Sequence, residues 1–310
     1  MTRPPLLPLL LLLFLSTTIA AARPPPRSLS LVQSPPLILK YHNGPLLKGN
    51  LTVNLIWYGT FTPIQRSIIA DFIESLSPLK PQSSPSSQPT VATWWQTTAL
   101  YKGGLSKVSL GRQFIDAGYS LGKVLTESQI FELSSSLPHR GAVNVVLTAQ
   151  DVVPDGFCVS SCGAHASGLA GKHGKVRFAY AWVGNSALQC PGQCAWPFYQ
   201  PEFGPQGPPL VAPNGDVGVD GMIINMATVL AGAVTNPFDN GYFQGPATAP
   251  LEAVSACTGM FGPGSFPGYP GQLLLDSGSG ASYNVNGLNG RKFLVPSIWD
   301  PKTSACKTLV

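Results

Sequence analysis

Residues 222–243 read MIINMATVLAGAVTNPFDNGYF: an apolar helix that runs into Ala233-Val234-Thr235-Asn236-Pro237 and then into Gly241-Tyr242-Phe243. Asp216 and Asp220 stand where such a helix begins and suit capping, so the helical region spans 216–234. Working back from it, Val176–Val183 and Ala142–Thr148 are apolar, β-branched and aromatic runs of strand length. The second of these runs has no polar face, as expected of a strand covered on both sides. Leu51–Tyr58 alternates Leu51, Val53, Leu55 and Trp57 with Thr52, Asn54 and Ile56, and Leu105–Leu110 is a short strand. Thr62 is an N-cap with Pro63 at the first helical position, and Ile64, Ile68, Ile69, Phe72, Ile73 and Leu76 make one apolar face. A second helix covers about 91–101 with Trp94 and Trp95 in it, read as packing residues ahead of a sugar-stacking platform. Thr126 to Gln129 has capping-box spacing ahead of a helix that reaches Leu137. Strands alternating with helices give an α/β fold with a mixed sheet and flanking helices. The stretch 77–89 is a Pro/Ser-rich loop open to O-glycosylation, and 237–310 is a Gly/Pro-rich, loop-rich C-terminal segment.

The quoted helix and the A-V-T-N-P after it resemble a segment of secreted zincin-like metalloproteases, in which that helix carries His-Glu-x-x-[His/Glu] and follows the last sheet strand. Aligned on residues 233–237, the positions for the two ligands and the base hold Thr228, Val229 and Gly232. None of these can ligate zinc and Val229 cannot take a proton, whereas zinc hydrolysis needs about three N, O or S ligands and a base. The resemblance therefore implies a zincin-like layout without the metal chemistry: a scaffold, with no metal and no cofactor.

Arg3, the apolar run Leu6–Leu15 and the small residues up to Ala22 have the order of a secretory signal, with cleavage after Ala20 or Ala22. The run is short of the ~20 residues that a membrane span needs. That leaves residues 23–310 as a single domain in an extracellular setting. Charged residues are 11% of the chain against 44% hydrophobic, with 33 Gly, 31 Pro and six Trp, which favours an ordered, loop-rich fold over disorder. The net charge of +5, lower by one once Arg3 leaves, gives no footprint for nucleic acid. Six cysteines in such a compartment pair as three disulfides. Cys257–Cys306 is the preferred bridge, and the pairing among Cys158, Cys162, Cys190 and Cys194 stays open. The competing reading is a zinc site from Cys158, Cys162, His165 and His173.

Five segments, KYHNGPLL (40–47), LIWYGTF (55–61), ATWWQTT (92–98), YAWVGNSALQCPGQCAWPF (180–198) and NPFDNGYFQGP (236–246), resemble in sequence and order the EXORDIUM or phosphate-induced protein family of plants. The resemblance covers nearly the whole chain after the signal. It implies an extracellular, apoplastic cell-wall protein of growing tissue, linked to brassinosteroid-responsive growth and to carbon or phosphate status. No catalytic mechanism comes with it.

Other chemistries have few residues to use. The chain has four His, no G-x-S-x-G elbow, and no Cys left over once three bridges form. Asp151, Asp155, Asp216, Asp220, Glu252 and Asp276 could supply a glycosidase pair, which keeps an extracellular wall-glycan hydrolase as the alternative, but scattered acids more often cap helices and shape turns. His42 reads as a turn residue or a ligand contact. Lys172, His173, Lys175 and Arg177 form the densest basic cluster, either a solvated hairpin or a contact for a wall polyanion. Asn50-Leu51-Thr52 is the only N-glycosylation sequon. The expected partner is a cell-wall polysaccharide or an extracellular receptor.

Overall fold

The computed structural model describes residues 36–77, 88–104, 106–170 and 176–310. The signal segment 1–22, most of the 77–89 loop, and Lys172, His173 and Lys175 lie outside the described residues. Residues Leu37–Val310 pack as one unit.

Its centre is a five-stranded sheet of β1 (Gly49–Tyr58), β2 (Ser106–Asp116), β3 (Ala142–Thr148), β4 (Gly163–Ala170) and β5 (Val176–Gly184), in the order β2-β1-β3-β5-β4. All neighbours are parallel except β4, which runs antiparallel to β5 at the edge. The sheet is mixed, as the α/β reading required. β1 departs from its alternating pattern: Val53 through Tyr58 are all buried, because parallel strands are covered on both faces. Asn54 is thus forced inside, where its amide donates to Asn144 Oδ1 at 2.8 Å and to the Pro138 carbonyl at 2.9 Å. Its Oδ1 accepts the Arg112 N–H at 2.7 Å, at the irregularity in the β1–β2 ladder. Gly111 stands there because a Cβ would lie 2.3 Å from that oxygen. β2 is longer than expected, continuing past Leu110 to Asp116.

Helix α1 (Pro63–Ser75) starts with a reciprocal capping box between Thr62 and Gln65 and buries Ile68, Ile69, Phe72 and Ile73. Ile64 is a correction to the predicted apolar face: in the first turn it points to solvent, 68% exposed. α2 (Val91–Trp95) continues as a 3-10 turn to Leu100, and both of its tryptophans are buried, the Trp94 indole donating to the Pro296 carbonyl. α3 (Glu127–Ser135) has the Thr126/Gln129 capping box read from its sequence. α4 (Val217–Thr235) begins at Asp216, whose carboxylate accepts the Val219 N–H, and packs on β4 and β5. By length and composition α4 could cross a bilayer, yet most of it is buried inside this unit.

From 237 onward no strand exceeds three residues. Short ladders pair Tyr242–Phe243 with Lys40–Tyr41, Val285–Asn286 with Lys292–Phe293, and Ile298–Asp300 with Ala305–Lys307. Three disulfides close the loops: Cys158–Cys190, Cys162–Cys194 and Cys257–Cys306. The first two run side by side and staple the turn before β4 to the helical turn Pro191–Cys194. Asn225 of α4 donates to the Cys194 carbonyl and so holds that helical turn to the long helix.

Candidate functional site

Two polar arrangements sit at opposite ends of α4. Near its C-terminal end are the positions that align with zinc ligands. The Thr228 hydroxyl donates to the Ile224 carbonyl of its own helix, as helical Thr commonly does, and Val229 is buried. The space that a side chain at Gly232 would fill is taken by two others: a Cβ there would lie 2.6 Å from both His165 Nε2 on β4 and Glu252 Oε2. His165 and Glu252 are paired at 2.8 Å with side chains only 8% and 12% exposed. Asn236 donates to the other Glu252 oxygen at 2.6 Å and accepts the Gly241 N–H, so the network reaches the N-P-F-D-N-G turn. Burial lowers the His165 pKa, but the adjacent Glu252 charge and hydrogen bond, with Asp239 beyond, outweigh it and leave a net rise.

These residues do not fit a zinc ion. Of the set, only His165 and Glu252 are ligand types, and they neutralise each other. Among the described residues no group of three or more His, Cys, Asp or Glu is placed to hold a metal. The competing Cys/His zinc site is also overturned as a set, since Cys158 and Cys162 bond to Cys190 and Cys194 and His165 faces Glu252.

At the N-terminal end of α4 is an open cavity of about 380 Å³ lined by polar side chains from four distant segments. Asp71 comes from α1 and accepts from Asn289 Nδ2 at 2.7 Å and Arg291 Nε at 3.0 Å. Asp276 ties down its own turn by accepting from Ser279 and pairs with the Lys292 ammonium. Asn214 is held from behind by Asp220, which accepts its backbone N–H at 2.9 Å and its amide at 2.7 Å. Burial pushes the Asp220 carboxyl up to about 7, against the lowering effect of the two Asn214 bonds. Asp220 is therefore a buried support one turn inside the helix, while Asp216 alone is the cap.

Sequence reasoning placed Asp276 among scattered acids and Asp216 and Asp220 at the start of the long helix as caps, and missed Asp71, Asn214, Asn289, Arg291 and Lys292. The available signal was Asn289-Gly290, a tight-turn dipeptide that projects side chains at a hairpin tip. Elsewhere, Asn50 is exposed at the start of β1. Arg177 donates to Ser167 Oγ and lies 4.7 Å over the Phe238 ring, the one member of the basic cluster whose surroundings are described. His42 is stacked at 3.8 Å on Phe243, and its backbone N–H donates to the Gly241 carbonyl. The KYHNG and NGYF segments, about 200 residues apart in sequence, are thus one structural unit.

Residues 39–309 match the family described as the Phosphate-induced protein 1 conserved region. Protein EXORDIUM-like 2 of Arabidopsis thaliana is 60% identical over 284 residues, 91% of this chain and 92% of that relative. Protein EXORDIUM of Arabidopsis thaliana is 57% identical, covering 88% and 90% of the two chains. Protein PHOSPHATE-INDUCED 1 of Nicotiana tabacum is 56% identical, covering 91% of each. The chain belongs to the EXORDIUM and phosphate-induced protein family. No solved structure matches it.

Proposed function

We propose that this family member is a secreted cell-wall protein that supports plant growth, linked to brassinosteroid and nutrient responses, by binding rather than by catalysis, on a zincin-like scaffold without zinc. The observation that carries this reading is the filled space at Gly232: His165 and Glu252 occupy the volume where a ligand side chain would project, and Thr228 and Val229 supply neither metal ligand nor base. Helix α4 follows the last strand of a mixed sheet, the order of a zincin catalytic domain, which supports the scaffold half of the reading. The leader-like N-terminus and three disulfides support secretion.

The test uses protein secreted from a plant host. It carries one N-glycan at Asn50, seen as a mobility shift after amidase treatment. It holds no stoichiometric zinc, cleaves neither peptide nor glycan panels, and is retained on isolated cell walls. One tightly bound zinc per chain together with turnover would overturn the binding role, and so would failure to be retained on walls.

A further inference from the structure

The cavity at the N-terminal end of α4 has a charge pattern that selects its ligand. Its two carboxylates each face a cation: Asp71 faces Arg291 and Asp276 faces Lys292. Each charge is already balanced by its partner, so a charged ligand gains little net attraction here. A neutral ligand needs only the remaining lone pairs and N–H groups. The walls offer both kinds: acceptors on Asp71 and Asp276, donors on Arg291, Lys292 and the Asn289 amide. A hydroxyl donates and accepts at once, so vicinal hydroxyls match such alternation. The lining side chains are already tied by Asp71–Asn289, Asn214–Asp220 and Arg291–Asn214 bonds, so little ordering remains to be done on binding. At about 380 Å³ the cavity falls toward the small end of ligand clefts, which run from about 300 to 1,000 Å³.

We infer that this cavity binds one or two neutral sugar units, pentose or hexose, of a glycan end or side branch. This rests on the binding role proposed above and names its ligand class. Uronate polymers gain no net attraction here, because Asp71 and Asp276 balance Arg291 and Lys292, whatever the basic cluster at 172–177 does elsewhere.

Titration calorimetry of the intact secreted protein tests it, with neutral oligosaccharides of glucose, xylose or galactose and with oligogalacturonate of equal length. At least one neutral series binds tenfold or more tighter than oligogalacturonate. Asn289→Gly removes a lining amide without backbone strain, since Asn289 sits at φ 55°, where glycine is at ease. That variant and Lys292→Gln each weaken the neutral sugar tenfold or more. If Lys292→Gln fails to fold, Asn289→Gly at the exposed hairpin tip still reads the cavity. No binding of any neutral sugar, equal binding by wild type and Asn289→Gly, or a preference for oligogalacturonate would overturn the assignment. Wall retention measured in parallel separates the two ideas. Retention without sugar binding sinks only the cavity, whereas sugar binding without retention sinks only the wall role.

Discussion

At Gly232 a missing side chain decides what its neighbours can be. With no Cβ in the way, His165 and Glu252 meet across the helix at 2.8 Å. Gly232→Ala places a methyl 2.6 Å from both, so at least one of them must shift and the pair is disturbed. Overpacking costs about 1–3 kcal/mol and breaking a buried pair about 3–5 kcal/mol, so a loss of roughly 3 kcal/mol is expected from denaturant unfolding. Thr228→Ala, one turn earlier, removes a hydroxyl that only bonds back to its own helix, and should shift stability by less than about 0.5 kcal/mol. Equal effects at the two positions would mean that the His165–Glu252 pair is loose. The glycine itself was visible in the sequence, as was the loss of the base at Val229. What stands in the vacated space was not, because Glu252 lies 87 residues from His165 and no local pattern links them.

Among the elements, the disulfides make the clearest energetic statement. Cross-linking stabilises chiefly by restricting the unfolded chain, more so for longer loops. Cys257–Cys306 spans 49 residues and no other bridge closes the same loop, so replacing both cysteines by Ala should cost about 4 kcal/mol. Cys158–Cys190 and Cys162–Cys194 each span 32 residues and run in parallel. Removing the first leaves its neighbour still holding the long loop, so the expected loss is smaller, about 3 kcal/mol, and removing both should cost more than twice the single loss. Guanidinium unfolding of the three variants gives the order directly, and a single staple costing more than Cys257–Cys306 would refute it. β4 is the element that sequence reading missed. GAHASGLA is small and neither alternating nor β-branched; it is a strand because β5 offers it an edge to pair with.

For the whole molecule, two buried groups set the response to pH in the same direction. Asp220 has its folded pKa raised from 3.8 to about 7, and His165 is raised above 6.5. A raised folded pKa means that the native state holds its proton more tightly than the unfolded chain, so the stabilisation is complete in acid and is lost as pH rises through the folded value. For Asp220 the loss runs from about pH 4 to 7 at up to about 1.4 kcal/mol per pH unit, and His165 adds its own loss from about pH 6.5 upward. Asp151, held below its ordinary value by the Lys123 hydrogen bond first and Tyr119 after it, acts oppositely but only below about pH 4. Melting temperature should therefore peak in mild acid and fall toward neutrality, which suits the wall compartment proposed. Asp220→Asn should flatten the slope between about pH 4 and 7 whatever its effect on the midpoint itself. A variant with the wild-type slope would exclude Asp220 as the source.

Sequence alone determined the features that need only near neighbours: the N-cap at Thr62, the capping box at Thr126, the largely apolar and wholly buried β3, the apolar α4, the tryptophans kept for the core, and the family. It also favoured Cys257–Cys306, since those two were left as a distant couple once the C-x3-C pairs were set aside. It could not choose between bridges within and between those pairs; the side-by-side approach of the 158–162 and 190–194 turns made that choice. The cavity belongs wholly to the tertiary structure. Asp71 and Arg291 are 220 residues apart and meet only because the 285–293 hairpin docks against α1, where Phe293 packs edge-on against Phe72. Periodicity and capping act over a few residues, whereas a binding surface is made by whichever side chains the packed core carries to one place.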